Sequence, residues 1–284
     1  MTPPHTLGSP VTDRPPAPAE LDGLVVLVTG GSRGIGAAVA DAVLAAGGSV
    51  CLTGRDAGTL RETADRLGGG DRVLSAPGDA AEPGHRERTV DRLMARFGRL
   101  DAVVNNAAAA GTPTLLVDSR AEDLRQAFET NVVAPWDWVR LAWEVWMGEH
   151  GGRVVNVSSV AGLHPEPGIG AYAVSKAALH HLTRAMALEL APGVRVNAVA
   201  PGLVRTDATR PMWEGRETEV AAAHPLHRIG RPDDIAAAVR FLLGPGASWM
   251  TGQTLAVDGG HTVRLAPAGD WLQRRPSTSA TGAP

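Results

Sequence analysis

The stretch from Leu24 to Ala46, LVVLVTGGSRGIGAAVADAVLAA, decides the fold. Leu24–Thr29 is a continuous apolar run rather than a strict alternation, as expected for a strand covered on both faces. Glycines at 30, 31, 34 and 36 then punctuate the chain, and Ile35–Ala46 reads as an alanine-rich helix. Glycines suit a tight turn and let backbone N–H groups approach a pyrophosphate at a helix N-terminus, where the helix dipole favours anions. Alone, such a turn is weak evidence and also serves as a plain connector; its place between a first strand and a helix makes it stronger.

The same alternation continues along the chain. Strands are predicted at Leu24–Thr29, Val50–Thr53, Val73–Ala76, Ala102–Asn105, Val154–Val157, Val194–Val199 and Thr254–Val257. Helices are predicted at Ile35–Ala46, Ala57–Leu67, Gly84–Phe97, Glu122–Met147, Tyr172–Leu190 and Asp233–Leu243. Repeated β-α-β order implies a parallel, doubly wound α/β sheet of about seven strands with helices on both faces. Residues 21–263 form one domain in this reading, with no repeat or second domain. Residues 1–20 carry six prolines and almost no large apolar side chains, so they are expected to be a disordered tail. Residues 264–284 read the same way, with Trp271 a candidate anchor.

Composition bounds the function. With 27 Lys and Arg against 30 Asp and Glu, the net charge of −3 gives no electrostatic footprint for nucleic acid. No apolar run approaches the roughly 20 residues that span a bilayer. The start, MTPPHTLGSP, lacks the basic and apolar regions of a signal peptide. The single cysteine, Cys51, cannot form an internal disulfide, and the chain reads as cytoplasmic. Only one of the 27 basic residues is a lysine, Lys176, and the only tyrosine is Tyr172. Abundant Ala, Gly, Pro and Arg suggest a coding sequence rich in G and C.

That lysine and tyrosine lie together in Tyr172-Ala173-Val174-Ser175-Lys176, four apart on one helical face. A free phenol has a pKa near 10, and a nearby ammonium is expected to lower it towards the range useful for proton transfer. Random placement would give this relation in roughly one chain in three hundred, which lifts the match above the noise of a short motif. A chain that uses arginine almost everywhere keeps lysine where a compact, tunable ammonium serves. Thirteen residues earlier, at the end of the fifth strand, lies Ser159, with Ser158 beside it. A hydroxyl at the carboxyl end of a strand in such a sheet is placed to hydrogen-bond a substrate carbonyl; a strand-end turn serine is the other reading. Asn131 precedes Pro135 by four residues, so its carbonyl should lack its helical partner.

With Thr29-Gly30-Gly31-Ser32-Arg33-Gly34-Ile35-Gly36, Tyr172 and Lys176 at these spacings, the chain resembles the short-chain dehydrogenase/reductase family over residues 22–262. The resemblance implies a Rossmann-like fold and hydride exchange between a nicotinamide dinucleotide and a small carbonyl substrate. It implies a catalytic set of Asn131, Ser159, Tyr172 and Lys176, with the Asn131 carbonyl holding a water in a proton relay. It selects Ser159 over Ser158. Cofactor contacts are implied for Gly30, Ser32, Arg33, Gly34, Ile35 and Gly36. They are also implied for Asp79 and Ala80 after the third strand, though Asp79 alone also reads as a turn residue. Asn106 lies in Asn105-Asn106-Ala107-Ala108, where Ala108 replaces the family's glycine. Pro201, Gly202, Val204 and Thr206 resemble the segment near the nicotinamide, and Val257-Asp258-Gly259-Gly260 the family's C-terminal segment.

Cofactor choice follows from the end of the second strand, Thr53-Gly54-Arg55. A carboxylate there would hold the ribose of NAD; instead Arg55, with Arg33, favours the 2′-phosphate of NADP(H). Two solvated surface arginines are the alternative. The expected activity is NADPH-dependent reduction of a ketone. An NAD-dependent alcohol dehydrogenase and a non-catalytic cofactor sensor are its rivals. Residues 205–228 are expected to form a substrate lid, with Met212 and Trp213 as pocket or packing residues. His164 and Glu166 either face the substrate or are solvated. Carrier-protein ketoreductases of the family use arginines at places resembling His150 and Pro192-Gly193, which puts an acyl-carrier substrate in doubt. Trp136, Trp138, Trp143 and Trp146 crowd one helix, suggesting core or a homo-oligomer interface, tetramer or dimer. His180-His181 lacks metal-ligand spacing, and no metal is expected.

Overall fold

Every apolar run becomes a strand: β1 (Val25–Val28), β2 (Ser49–Gly54), β3 (Val73–Pro77), β4 (Ala102–Asn105), β5 (Gly152–Val157), β6 (Val194–Pro201) and β7 (Thr254–Val257). In the computed structural model, which describes residues 20–263, they form one sheet in the order β3-β2-β1-β4-β5-β6-β7. All six strand pairings are parallel. The order reverses direction at β1 and β4, which creates the crevice at the carboxyl edge where ligands bind in such sheets. The expected tails, with Trp271, lie outside the described residues apart from Glu20.

Successive strand residues point to opposite faces, and both faces are covered. Val26 and Val28 join one core cluster with Val39 and Val43 of α1 (Gly34–Ala45) and Val239 of α10 (Pro232–Leu243). Val25 and Leu27 join the other, with Leu93 of α3 (Pro83–Phe97), Trp138 of α5 (Ala134–Ala142) and Met186 of α7 (Gly170–Glu189). Each fully buried Val or Leu contributes about 1.5–3 kcal/mol, so the alternation in these strands holds both helical layers. Local signals set the ends of α2 (Ala57–Leu67). Asp56 accepts from Thr59 N at 2.7 Å, and Gly68 takes a left-handed conformation beyond it.

The helix expected at Glu122–Met147 is interrupted. It divides into α4 (Ala121–Phe128), a π turn at Glu129–Val133, α5, a second π turn at Trp143–Met147, and α6 (Gly148–His150). Pro135 has no N–H to give to Asn131, and the chain takes in one extra residue: Ala134 N reaches back five positions to Glu129 O. Within the expected lid, two short helices form, α8 (Arg210–Trp213) and α9 (Glu217–Ala222). Its base is fixed, because Arg205 N donates to Gly230 O at 2.9 Å and Gly230 N to Leu203 O at 3.0 Å.

Leu27 lies fully buried at the centre of the sheet. Leu27→Ala is expected to lower the unfolding free energy by about 2–5 kcal/mol, read as a lower urea midpoint at unchanged slope.

Candidate active site

The glycine-rich loop is clamped from two sides. Gly31 N donates to Thr53 O at 2.8 Å, and Thr29 N to Val104 O at 3.0 Å. Asn106 reaches over the loop, its Nδ2 donating to Thr29 O at 2.9 Å and Gly30 O at 3.0 Å. Gly30 has φ of +65° and Gly34 of +55°, and a Cβ on Gly36 would run into the Gly30 carbonyl. The loop therefore needs glycine for both its conformation and its closeness. Ser32 is tied down by Thr63 Oγ1, which donates to Ser32 O at 2.6 Å. Arg33 stands at the N-cap of α1 in extended conformation and supplies no side-chain cap, and Ile35 follows in the first turn. The first N–H groups of α1 are thus free for an anion. Arg33 and Arg55 are both exposed beside this loop. The cradle that a Cβ would fill, the uncapped helix and the two cations fit a dinucleotide carrying phosphates.

Asp56, which sequence reasoning passed over, adds a carboxylate near Arg33. Its carboxyl is held low, first by the Thr59 backbone hydrogen bond and last by the Arg33 charge, so α2 claims it as a cap. Asp79 is exposed and bends back on its own turn, Oδ1 accepting from Ala81 N at 2.9 Å. Buried Ala80 offers its carbonyl to Trp138 Nε1 at 3.2 Å and Arg86 Nη1 at 3.3 Å. At the end of β6, Pro201 closes the strand and Gly202 N donates to Val257 O at 3.1 Å. Val204 is buried, and Thr206 Cγ2 would stand 3.2 Å from a Cβ on Gly34, so this segment borders the glycine-rich loop.

Tyr172 and Lys176 lie in the first half of α7, over the carboxyl end of β5. The Ser159 side chain faces the Tyr172 hydroxyl closely enough to bear on its titration, and its Oγ accepts from Ala161 N at 3.2 Å. Lys176 is 1% exposed; its Nζ donates to Val157 O at 2.9 Å and lies 5.6 Å from the Tyr172 ring centroid. Ser158 points elsewhere, donating to Lys176 O at 3.3 Å, which leaves Ser159 as the serine facing the phenol. Asn131 is fully buried in the first π turn. Its Oδ1 accepts from Ala109 N at 2.9 Å, and its Nδ2 donates to Ala109 O and to Ser175 Oγ, both at 2.9 Å. Ser175 Oγ in turn donates to Tyr172 O at 2.7 Å. Asn131 thereby joins the loop after β4 to the helix that carries the tyrosine. Neither Ser175 nor Ala109 carried a sequence signal, because both act through generic polar atoms.

Deeper in, Asn105 Nδ2 donates to Asn156 Oδ1 at 2.9 Å and to Pro135 O at 3.2 Å. Asn156 Nδ2 donates to Thr183 Oγ1 at 2.9 Å, and Thr183 Oγ1 to Leu179 O at 2.8 Å. One polar chain thus ties β4, β5, α5 and α7 beneath the site.

The expected acidification of the phenol by the ammonium is not what the protein alone displays. Burial pushes the Tyr172 phenol above its ordinary value, the Glu166 charge adds to this, and the Ser159 hydrogen bond opposes it. Burial also pushes Lys176 down to about 7. Desolvation disfavours the charged form of each group, and the ammonium is drawn to a carbonyl.

A small cavity beside Tyr172 is lined by Ala109, Thr112, Thr114, Gln126 and Gly168 among others. Glu166 is half-buried and acts on the phenol, whereas His164 is exposed. Trp213 stacks under Arg205 at 5.2 Å and borders a separate groove with Arg66 and Asp233; Met212 is exposed. Neither lines the cavity beside the tyrosine. Trp138 is core, while Trp136 and Trp143 are exposed. His150 and Pro192-Gly193 stand at the amino ends of β5 and β6, the edge of the sheet opposite Ser159. Their lack of arginine therefore says nothing about what approaches the tyrosine. Among the described residues no group of His, Cys, Asp and Glu is placed to hold a metal, and no helix is long and apolar enough to cross a membrane.

A parallel sheet with a glycine cradle after β1 and a Ser–Tyr–Lys cluster after β5 defines a dinucleotide-binding oxidoreductase. Residues 30–262 match the family model described as enoyl-(acyl carrier protein) reductase. The chain is 40% identical over 247 residues to an uncharacterized oxidoreductase of Mycobacterium tuberculosis, covering 85% of this chain and 93% of that protein. It is 33% identical over 240 residues to a 3-oxoacyl-(acyl-carrier-protein) reductase of Salmonella typhimurium, covering 84% and 97%. A solved short-chain dehydrogenase/reductase of the glucose/ribitol dehydrogenase type from Brucella melitensis superposes with a TM-score of 0.82 at 30% identity, covering 88% of this chain and 100% of that one. The chain belongs to the short-chain dehydrogenase/reductase family, whose members use nicotinamide cofactors.

Two outcomes follow. Gly36→Ala is expected to weaken dinucleotide affinity at least tenfold, about 1.4 kcal/mol, in a fluorescence titration with reduced nicotinamide dinucleotide. Lys176 titrates near 7 folded and near 10.5 unfolded, so between these values the unfolded chain binds more protons. Its contribution to the stability of the cofactor-free protein therefore rises with pH across that window. Urea unfolding from pH 7 to 10 is expected to show a steeper rise for the wild type than for Lys176→Met.

Proposed function

We propose that this protein is an NADPH-dependent ketoreductase that converts a small-molecule ketone to a secondary alcohol. One observation carries the reading: the chain's only tyrosine and only lysine converge with Ser159 at the carboxyl end of β5, next to a glycine cradle. Bound in that cradle, NADPH would supply the hydride. Gly30, Ser32, Gly34, Ile35 and Gly36 would face its pyrophosphate, and Arg33 and Arg55 its 2′-phosphate. Asp79, Ala80 and Asn106 would line the adenosine side, and Pro201, Gly202, Val204 and Thr206 the nicotinamide side.

Ser159 gives its hydroxyl hydrogen to the substrate carbonyl, and the Tyr172 phenol protonates the oxygen as negative charge develops there. With the dinucleotide bound, Lys176 would hold the nicotinamide ribose, and its ammonium would stabilise the phenolate left behind. Asn131 keeps α7 and the loop after β4 in register and offers its carbonyl to the relay water. The raised phenol keeps Tyr172 protonated and ready to donate at neutral pH. Asp56 is the observation that favours NAD instead, and its commitment to α2 is why NADPH is preferred here.

We read the protein as a cytoplasmic homo-oligomer, tetramer or dimer, acting on neither nucleic acid nor membrane. The exposed Trp136 and Trp143 support an interface on their helix, and the buried Cys51, its thiol pushed up to about 12, suits a reducing compartment. Tyr172→Phe is expected to lower kcat by about 10²–10⁴-fold with NADPH affinity largely intact. Comparable turnover in the variant, or a preference for NADH in parallel assays, overturns the corresponding part of the reading.

A further inference from the structure

The amino edge of the sheet carries a second cavity, at the end opposite Tyr172. It has a volume of about 400 Å³ and is bordered by Arg99, Asp101, His150, Arg153 and Arg195, with the Gly151–Gly152 and Pro192–Gly193 turns. This lies within the roughly 300–1,000 Å³ range of small-molecule sites. Arg153 and Arg195 are register partners on the adjacent parallel strands β5 and β6, so their side chains leave the same face of the sheet together. Like charges at such neighbouring positions repel, and something must offset them.

The protein's own groups do so only in part. The one carboxylate on the wall, Asp101, is spent: Arg99 Nε and Nη2 hold its two oxygens at 2.8 and 2.7 Å, and Val25 N takes Oδ2 at 2.9 Å. Arg195 is occupied with main-chain carbonyls, donating to Leu242 O at 3.0 Å and to Met250 O and Gly244 O at 3.4 Å. Arg153 has neither kind of partner. Its side chain makes no hydrogen bond or ion pair among the described residues, the Asp101 charge acting on it only from farther off, and its Nη1 is buried without an acceptor. A half-buried guanidinium without a hydrogen-bond partner costs free energy that a protein normally removes with a carboxylate or a hydrogen-bonded carbonyl. Burial accordingly pulls the Arg153 pKa down against the opposing Asp101 charge, and burial, with the Arg153 charge after it, does the same to Arg195. The rim adds His150, exposed and stacked on Trp146 with ring centroids 3.7 Å apart, its Nδ1 donating to Trp146 O at 3.1 Å.

We propose that this cavity is a binding site for a phosphate-bearing small molecule, with Arg153 as its principal anchor and Arg195 and His150 beside it. Guanidinium groups match the oxygens of a phosphate in charge and geometry, and the wall carries three of them against one carboxylate that is already paired. The site is separate from the dinucleotide cradle, which lies at the carboxyl edge of the same sheet. It stands whether or not the ketoreductase reading holds.

The test is thermal unfolding of the full chain with and without inorganic phosphate, against sodium chloride at matched ionic strength. At saturating phosphate the melting temperature is expected to rise by about 2–4 °C, and matched chloride to leave it unchanged. Arg153→Gln and His150→Glu are expected to lose most of that rise while keeping their NADPH-dependent activity or, if there is none, their dinucleotide affinity. His150 is exposed, so its replacement keeps the test open should Arg153→Gln fail to fold. The double variant Arg33→Gln, Arg55→Gln is expected to retain the rise, which separates this site from the cofactor's phosphate contacts. A rise reproduced by chloride, one unchanged in His150→Glu or Arg153→Gln, or one abolished in the Arg33, Arg55 double variant overturns the proposal.

Discussion

Beneath the candidate site runs the buried chain of polar contacts from Pro135 O through Asn105, Asn156 and Thr183 to Leu179 O. Asn105, Asn156 and Thr183 are each buried, where an unpartnered amide group costs about 1–3 kcal/mol; Asn105 Oδ1 bears that cost, and the contacts the others make leave the chain few alternative arrangements. It fixes the rotation of α7 against β4 and β5 and the height of α5 above them. Tyr172 and Lys176 inherit their positions from that rotation. The Asn131 side chain adds a second tie nearer the surface, from the loop after β4 to Ser175. Helix α7 is thus held by hydrogen bonds on its inner face, as well as by the burial of Leu179 and Met186.

Lys176 sits at the centre of this arrangement as a buried amine whose side chain has, among the described residues, a backbone carbonyl as its one hydrogen-bond partner. Such a group weakens the isolated protein, and the two hydrophobic layers on either side of the sheet supply the stability to carry it. A bound polyphosphate ester brings negative charge and hydroxyl acceptors into the crevice.

Much of this was legible in the chain. Continuous apolar runs and glycine punctuation gave the strands, their parallel order and the loop at Gly30–Gly36, because those features follow from local geometry. The single tyrosine and lysine marked the reacting centre because composition removed every competitor. What sequence did not reveal depended on contacts between distant segments. The π turn at Glu129–Val133 follows from Pro135, yet proline alone does not say whether a helix kinks, ends or takes in a residue. The burial that raises the phenol and lowers the ammonium comes from packing no motif encodes, and so the expected acidification was reversed. Asp56 reads as an ordinary cap. Arg99, Arg153 and Arg195 are scattered through three strand starts and meet only because those strands lie side by side.

The burial of Lys176 also bears on how the protein responds to chemistry from outside. Reagents that acylate or crosslink lysine find no exposed ε-amine anywhere on the chain, since its one lysine is enclosed. Burial alone lowers the pKa of that amine, so any opening that exposes it also returns it towards its ordinary, protonated state. Modification at this position would proceed only as fast as α7 lifts from the end of β5. The chain thus carries a built-in chemical clock for breathing motions of its own crevice.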